Sequence, residues 1–88
     1  MAIDEVKCDV ANLLTAVDRF EADLLVRLLD KLVHGKRGWD APEWTRQEIS
    51  TALRGHVDKG DPIDVAAYCM FLHYRGVLIA ALPAESEG

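Results

Sequence analysis

Apolar residues recur along the first third of the chain at Val10, Leu13, Leu14, Val17, Phe20, Leu24, Leu25, Leu28 and Leu32. Steps of three and four are those of a helix with one apolar face. Neither proline nor glycine interrupts the run. The pattern predicts a first helix from about Asp9 to Val33, with its leucine stripe in the core. Asp23 and Arg27, four apart, are expected to pair on its wet face. Residues 1 to 8 carry little pattern and are expected to form a flexible N-terminus.

The run stops at the sequence HGKRGW, His34 to Trp39. Gly35 and Gly38 suit the left-handed conformation that ends helices. His34, Lys36 and Arg37 sit where a helix dipole is negative, so their charge is locally favourable. Asp40, Ala41 and Pro42 then read as the opening of a second helix, with proline in its first turn. That helix would carry Trp44, Ile49, Ala52, Leu53 and Val57 on one side and end near Lys59 and Gly60.

A third helix is expected to start sharply at Asp61, its N-cap, with Pro62 at the first helical position and Asp64 in the first turn. Ile63, Ala66, Ala67, Met70, Tyr74, Val77, Leu78 and Ala81 make one face. Val65, Tyr68, Cys69, Leu72 and Ile79 cover much of the rest, as far as Leu82. A helix apolar nearly all round needs cover on every side. Pro83 and the polar residues after it read as a disordered tail.

The expected fold is therefore all-α: a helical hairpin plus a third helix, one domain over residues 9–82. The chain has 88 residues, of which 50% are hydrophobic. A domain this small buries a modest share of its surface. The apolar surplus points to a subunit interface, and so to an oligomeric helical bundle built on the last helix.

Charge and cysteine content narrow the function classes. Ten basic and fifteen acidic residues give a net charge of −5. Phosphate repels such a chain, and no basic stripe with interleaved aromatics appears, so nucleic acid is a poor partner. Residues 63–82 have the length of a membrane span. His73 and Arg75 fall in its middle, and a central arginine costs about 2.5–3.5 kcal/mol on insertion. The segment is read as a helix buried in protein, with no membrane partner. Cys8 and Cys69 are the only cysteines; they make no disulfide framework and no zinc spacing. Cys69 reads as a small buried hydrophobe. With no apolar leader at the N-terminus, the cytoplasm is the expected location.

Nucleophilic and Gly-rich phosphate-loop motifs are missing from the sequence. Carboxylates remain, near the helix starts. Magnesium takes hard oxygen ligands, usually one or two carboxylates plus phosphates and water. Asp61 and Asp64 are three apart and can point the same way from one turn. Glu48 on the preceding helix would face them in a suitable register. The same two aspartates are explained without metal, as a cap and a charge opposing the dipole. Lys36 and Arg37 in the loop are candidates for phosphate contacts. His73 and Arg75 need partners on an otherwise apolar helix, either acidic groups or a ligand. Tyr68 and Tyr74 are candidates for stacking on a base, or for the core.

One resemblance adds to this reading. The run Phe20-Glu21-Ala22, then Lys31-Leu32 and HGKRGW, then Glu43-Trp44, then KGDPIDVAAYCMFLHYRG from Lys59 to Gly76 resembles the small MazG-like nucleotide pyrophosphohydrolases, particularly short versions carried by phages. The last block is the most specific. The resemblance implies an all-α dimer or tetramer and magnesium-dependent hydrolysis of nucleoside triphosphates to monophosphates and pyrophosphate. It also implies a metal held by EExxE on one helix and ExxD on the next. Here the first motif falls on Gln47, Glu48 and Thr51 and keeps one carboxylate. The second falls on Asp61 and Asp64 and keeps both acids, one of them shortened. The family's asparagine after the DVA run is Ala67.

The expectation is a nucleotide-binding protein with weak or lost hydrolysis. Its metal ligands would be Glu48, Asp61 and Asp64, with magnesium the implied ion. Its nucleotide and phosphate contacts would be Lys36, Arg37, Arg75 and Tyr68. Two alternatives stand beside it. One is a phage counter-defence protein, sequestering a cyclic or other signalling nucleotide in the host cytoplasm. The other is a helical interaction domain that binds no nucleotide.

Overall fold

The computed structural model of the chain describes residues 2–82. The tail expected beyond Leu82 lies outside the described residues. Three helices and no strands occur among them: α1 from Ile3 to Val33, α2 from Arg46 to Lys59, and α3 from Pro62 to Tyr74. The all-α class is as the sequence pattern indicates. No helix among the described residues is long and apolar enough to cross a membrane.

α1 starts at Ile3, ahead of the Asp9 that periodicity suggests. Asp4 and Glu5 lie in its first turn, where negative charge opposes the dipole. Its end is a Schellman motif. Gly35 takes the left-handed conformation at φ 85°. The Gly35 N–H donates to Leu32 and the Lys36 N–H to Lys31.

α2 starts later than expected. Asp40 to Trp44 form turns, not helix, and Thr45 is the N-cap. Its hydroxyl accepts the Glu48 N–H at 3.1 Å, while the Glu48 carboxylate accepts the Thr45 N–H at 2.9 Å. This reciprocal capping box is spelled T-x-x-E in the sequence. It outcompetes Pro42 as the helix start.

α3 begins as expected, with the Asp61 carboxylate accepting the Ile63 N–H at 2.9 Å. It ends at Tyr74, well short of Leu82. Gly76 adopts φ 71°, its N–H donates to His73, and the Val77 N–H donates to Leu72. This second Schellman motif turns the chain out of the helix. The following residues run extended along α2, tied to three of its side chains spaced four apart. Arg46 Nε donates to the Leu78 carbonyl at 2.7 Å. Ser50 Oγ accepts the Ala80 N–H at 2.8 Å. Arg54 Nη2 donates to the Ala80 carbonyl at 2.6 Å. The apolar run after Gly76 is thus an ordered strap, so the long helix expected to carry the assembly does not form.

The core comprises Ile49 and Leu53 of α2 with Ala67, Phe71 and Leu72 of α3. Trp39, Trp44 and Tyr68 pack against it. α1 supplies only Leu24 and Leu28, and no α1 residue is fully buried. The leucine stripe expected in the core is therefore mostly open: Val10, Leu13, Leu14, Val17 and Phe20 are exposed. Cys69 is also exposed rather than buried.

Candidate functional site

The C-terminal part of α1, the 34–44 loop, α2 and α3 enclose a cleft of about 840 Å³. Leu28 and Leu32 form its α1 wall, while Trp39, Trp44, Tyr68 and Phe71 form the aromatic wall opposite. Around it stand Lys31, Lys36, Arg37, His56 and Lys59, with Glu43 and Glu48 as the acidic members. The surroundings of this cleft are cationic in a chain that is acidic overall.

The aromatic wall is one interlocked unit. Trp39 stacks on Phe71 with centroids 5.4 Å apart. Trp44 meets Phe71 and Tyr68 edge-on at 5.6 and 6.0 Å. Edge-to-face and offset stacks are the geometries that ring quadrupoles favour. The Tyr68 hydroxyl lies 3.2 Å from His56 Nε2. The other ring nitrogen of His56 is buried without a hydrogen bond. It faces the Asp64 carboxylate at 3.8 Å.

Lys36, Arg37 and Tyr68, three of the four phosphate and nucleotide candidates, line this one cleft. Arg75 does not. Its guanidinium donates to the carbonyls of Trp44 at 2.5 Å, Ala41 at 2.8 Å and Trp39 at 3.1 Å. It fastens the loop that carries two of the wall's rings. Its partners are therefore backbone carbonyls, where acidic groups or a ligand were expected. His73, paired with it in the sequence reading, is exposed.

Of the metal candidates, Asp61 and Asp64 come together, but on an arginine. Arg27 Nη1 donates to Asp61 at 2.8 Å and to Asp64 at 2.7 Å. Lys31 Nζ lies 3.6 Å from Asp64. Arg27 therefore does not pair with Asp23 along its own helix. The Arg27 hydrogen bond and the Ile63 N–H hold the Asp61 carboxyl below its ordinary pKa. The two aspartates in turn raise that of Arg27. Glu48 is held at the other end of α2, where the Thr45 N–H and hydroxyl lower its carboxyl below the usual range.

The three carboxylates thus do not meet. Among the described residues no group of three or more His, Cys, Asp or Glu side chains is placed to hold a metal ion. A guanidinium, with the Lys31 ammonium near it, already supplies positive charge to two of them. The residues present do not fit a magnesium centre of the kind the resemblance implies.

Sequence reasoning gave Arg27 the wrong partner and assigned no site role to Lys31, His56 or Lys59. A signal for the first two exists. Arg27 and Lys31 interrupt the apolar stripe of α1 at successive core-facing positions, four apart. The comparisons leave the cleft to be read from its own residues: the chain matches no family model, no curated protein and no solved structure.

Proposed function

We propose that the protein binds a phosphorylated nucleotide in the cleft between α1, the 34–44 loop and α3, without hydrolysing it, and that it self-associates. The observation that carries the binding reading is the pairing of a cationic surround with an aromatic wall. Lys36 and Arg37, with Lys59, supply charge-assisted donors for phosphate oxygens. The Trp44 and Tyr68 rings supply apolar faces of the kind on which bases stack. The cleft volume falls within the roughly 300–1,000 Å³ common for small-ligand sites.

Binding without turnover is favoured over hydrolysis by the state of the carboxylates. Phosphoryl chemistry on metal ions needs acidic ligands free to hold them. Asp61 and Asp64 are held by Arg27, with Lys31 beside Asp64, and Glu48 is committed to its cap. Sequestration of a signalling nucleotide fits this arrangement better than catalysis does. The self-association part rests on the apolar residues of α1 that the protomer leaves open.

Isothermal titration with a panel of nucleoside mono-, di- and triphosphates and cyclic dinucleotides tests the binding. Each is run with and without magnesium and followed by a pyrophosphate-release assay. At least one ligand should bind without product. The Lys36→Glu/Arg37→Glu double variant should weaken it by more than tenfold while leaving the melting temperature within a few degrees. Product release would replace binding with catalysis. No binding across the panel would leave an interaction domain.

A further inference from the structure

The open face of α1 has a period of its own. Ile3, Val6, Val10, Leu13, Val17, Phe20 and Leu24 follow one another at alternating steps of three and four. These are seven successive a and d positions of a heptad repeat. The first six are exposed, from 43% at Val6 to 72% at Ile3. Leu24, the seventh, packs on the protomer's own core. The stripe thus runs continuously from the core out along a bare helix. A strict 3.5-residue repeat keeps its seam facing a second helix that supercoils with it.

We propose that this seam is the interface with a second copy of the chain, the two α1 helices pairing antiparallel about a two-fold axis near Thr15. This deepens the self-association part of the functional reading and rests on it. The occupant follows from the sequence of the seam. In the register where Leu13 faces the partner's Val17, Val10 faces the partner's Phe20 and Val6 faces the partner's Leu24. Two layers then join a valine to a larger exposed residue, which is how facing positions interdigitate without voids; Val6 meets the part of Leu24 that the protomer's own core leaves open, and Ile3 falls opposite the partner's Arg27. A parallel pair would stack phenylalanine on phenylalanine and valine on valine instead.

At the rim one charge pair favours this arrangement and one opposes it. Lys7 and Glu21 occupy e positions, and this register sets Lys7 opposite the partner's Glu21 at both ends of the seam. It also sets Asp9 opposite the partner's Asp23, a rim repulsion that salt screens. A half-exposed aliphatic side chain presents roughly 80 Å² of apolar surface. The six exposed side chains of each copy together hide on the order of 1,000 Å², the lower bound of a specific interface. The antiparallel direction puts the bodies formed by α2 and α3 at opposite ends, clear of one another.

Sedimentation velocity of the full chain from about 1 to 100 μM tests the proposal, with helix content followed by circular dichroism. The wild type should be a dimer, and Leu13→Asp should be monomeric. The rim variants do not depend on the core of the seam. Lys7→Glu should weaken the dimer roughly three- to tenfold at low salt, and Lys7→Glu/Glu21→Lys should restore it. Asp23→Lys should tighten it. A monomeric wild type at 100 μM would overturn both the seam and self-association. A dimer indifferent to the Lys7 and Glu21 exchange would overturn the antiparallel register and leave self-association standing. Neither result bears on nucleotide binding in the cleft, which titration reads separately.

Discussion

Arg27 reaches across 37 residues of sequence to hold Asp64 at 2.7 Å, and through the same nitrogen it holds Asp61 at 2.8 Å. One cation on α1 therefore pins the first turn of α3. Asp61 also caps that turn through the Ile63 N–H. The pair of carboxylates that a metal reading singles out is a structural tether between two helices. The like-charge repulsion of two nearby aspartates is relieved by a guanidinium in place of an ion.

The tether should be visible in the pH dependence of stability. Asp61 is held below its ordinary pKa when folded, whereas its unfolded value is about 3.9. A depressed carboxyl contributes stability that is present above the unfolded pKa. That contribution is lost as pH falls through the folded pKa. Urea unfolding from pH 7 to pH 2 should therefore show stability falling below about pH 4. Arg27→Gln should shallow that fall by removing the main cause of the shift. The part due to Glu48, depressed by Thr45, should remain in the variant. Superimposable slopes for wild type and variant would refute the tether.

The cap of α2 offers a separate test. Thr45→Ala removes the hydroxyl that accepts the Glu48 N–H and should cost about 1 kcal/mol. Glu48→Gln should cost less, because glutamine also serves at the third position of a capping box. If Glu48 instead served a ligand's metal ion, Glu48→Gln would abolish magnesium-dependent binding while stability held. Chemical denaturation and nucleotide titration of the two variants separate these roles.

How much was legible in the sequence follows from which signals are local. The cap at Asp61 with Pro62 behind it involves adjacent residues, and it forms as read. The T-x-x-E box at Thr45 is equally local, but Pro42 gave a competing start signal three residues earlier. The end of α3 was misread because Val77 to Leu82 continue the apolar composition of the helix. Composition does not register that a left-handed Gly76 breaks the geometry. Arg27 was assigned to Asp23, four residues away. Its actual partners lie on another helix, and only the packing of α3 against α1 brings them near. In the cleft, Lys36 and Arg37 were legible as a basic turn. Lys31, His56 and Lys59 come from two different helices and share no sequence signature.

The strap after α3 rests on a buried hydroxyl. Ser50 is fully buried and accepts the Ala80 N–H at 2.8 Å. Ser50→Ala leaves that buried donor without a partner, which costs about 1–3 kcal/mol. Arg46→Ala should cost less, because its carbonyl contacts at Leu78 and Ile79 are exposed. Urea midpoints should rank the variants in that order. Faster proteolysis after residue 76 in Ser50→Ala would report release of the strap itself. Equal effects of both variants would mean that the exposed arginine holds the segment as firmly as the buried hydroxyl.

Arg75 decides between a structural and a ligand-binding role by the pattern its loss leaves. Its guanidinium spans three carbonyls of the 39–44 loop, and that loop presents Trp39 and Trp44 to the cleft. Hydrogen bonds from a charged donor contribute up to about 1.5–3 kcal/mol each where they are shielded from water. Freed carbonyls near the surface recover part of this from water, so Arg75→Met should cost about 2 kcal/mol in total. The loosened loop should let water reach the indoles, shifting tryptophan emission to the red. Ligand binding should weaken with it, because the wall loses its fixed geometry. Arg75→Lys should not rescue either effect, since an ammonium lacks the planar fork that bridges several carbonyls at once. A direct phosphate contact predicts the reverse: Arg75→Met would lose binding with stability and emission unchanged, and lysine would restore much of the affinity as a point charge. Denaturation, fluorescence and titration on the same three proteins distinguish the two patterns.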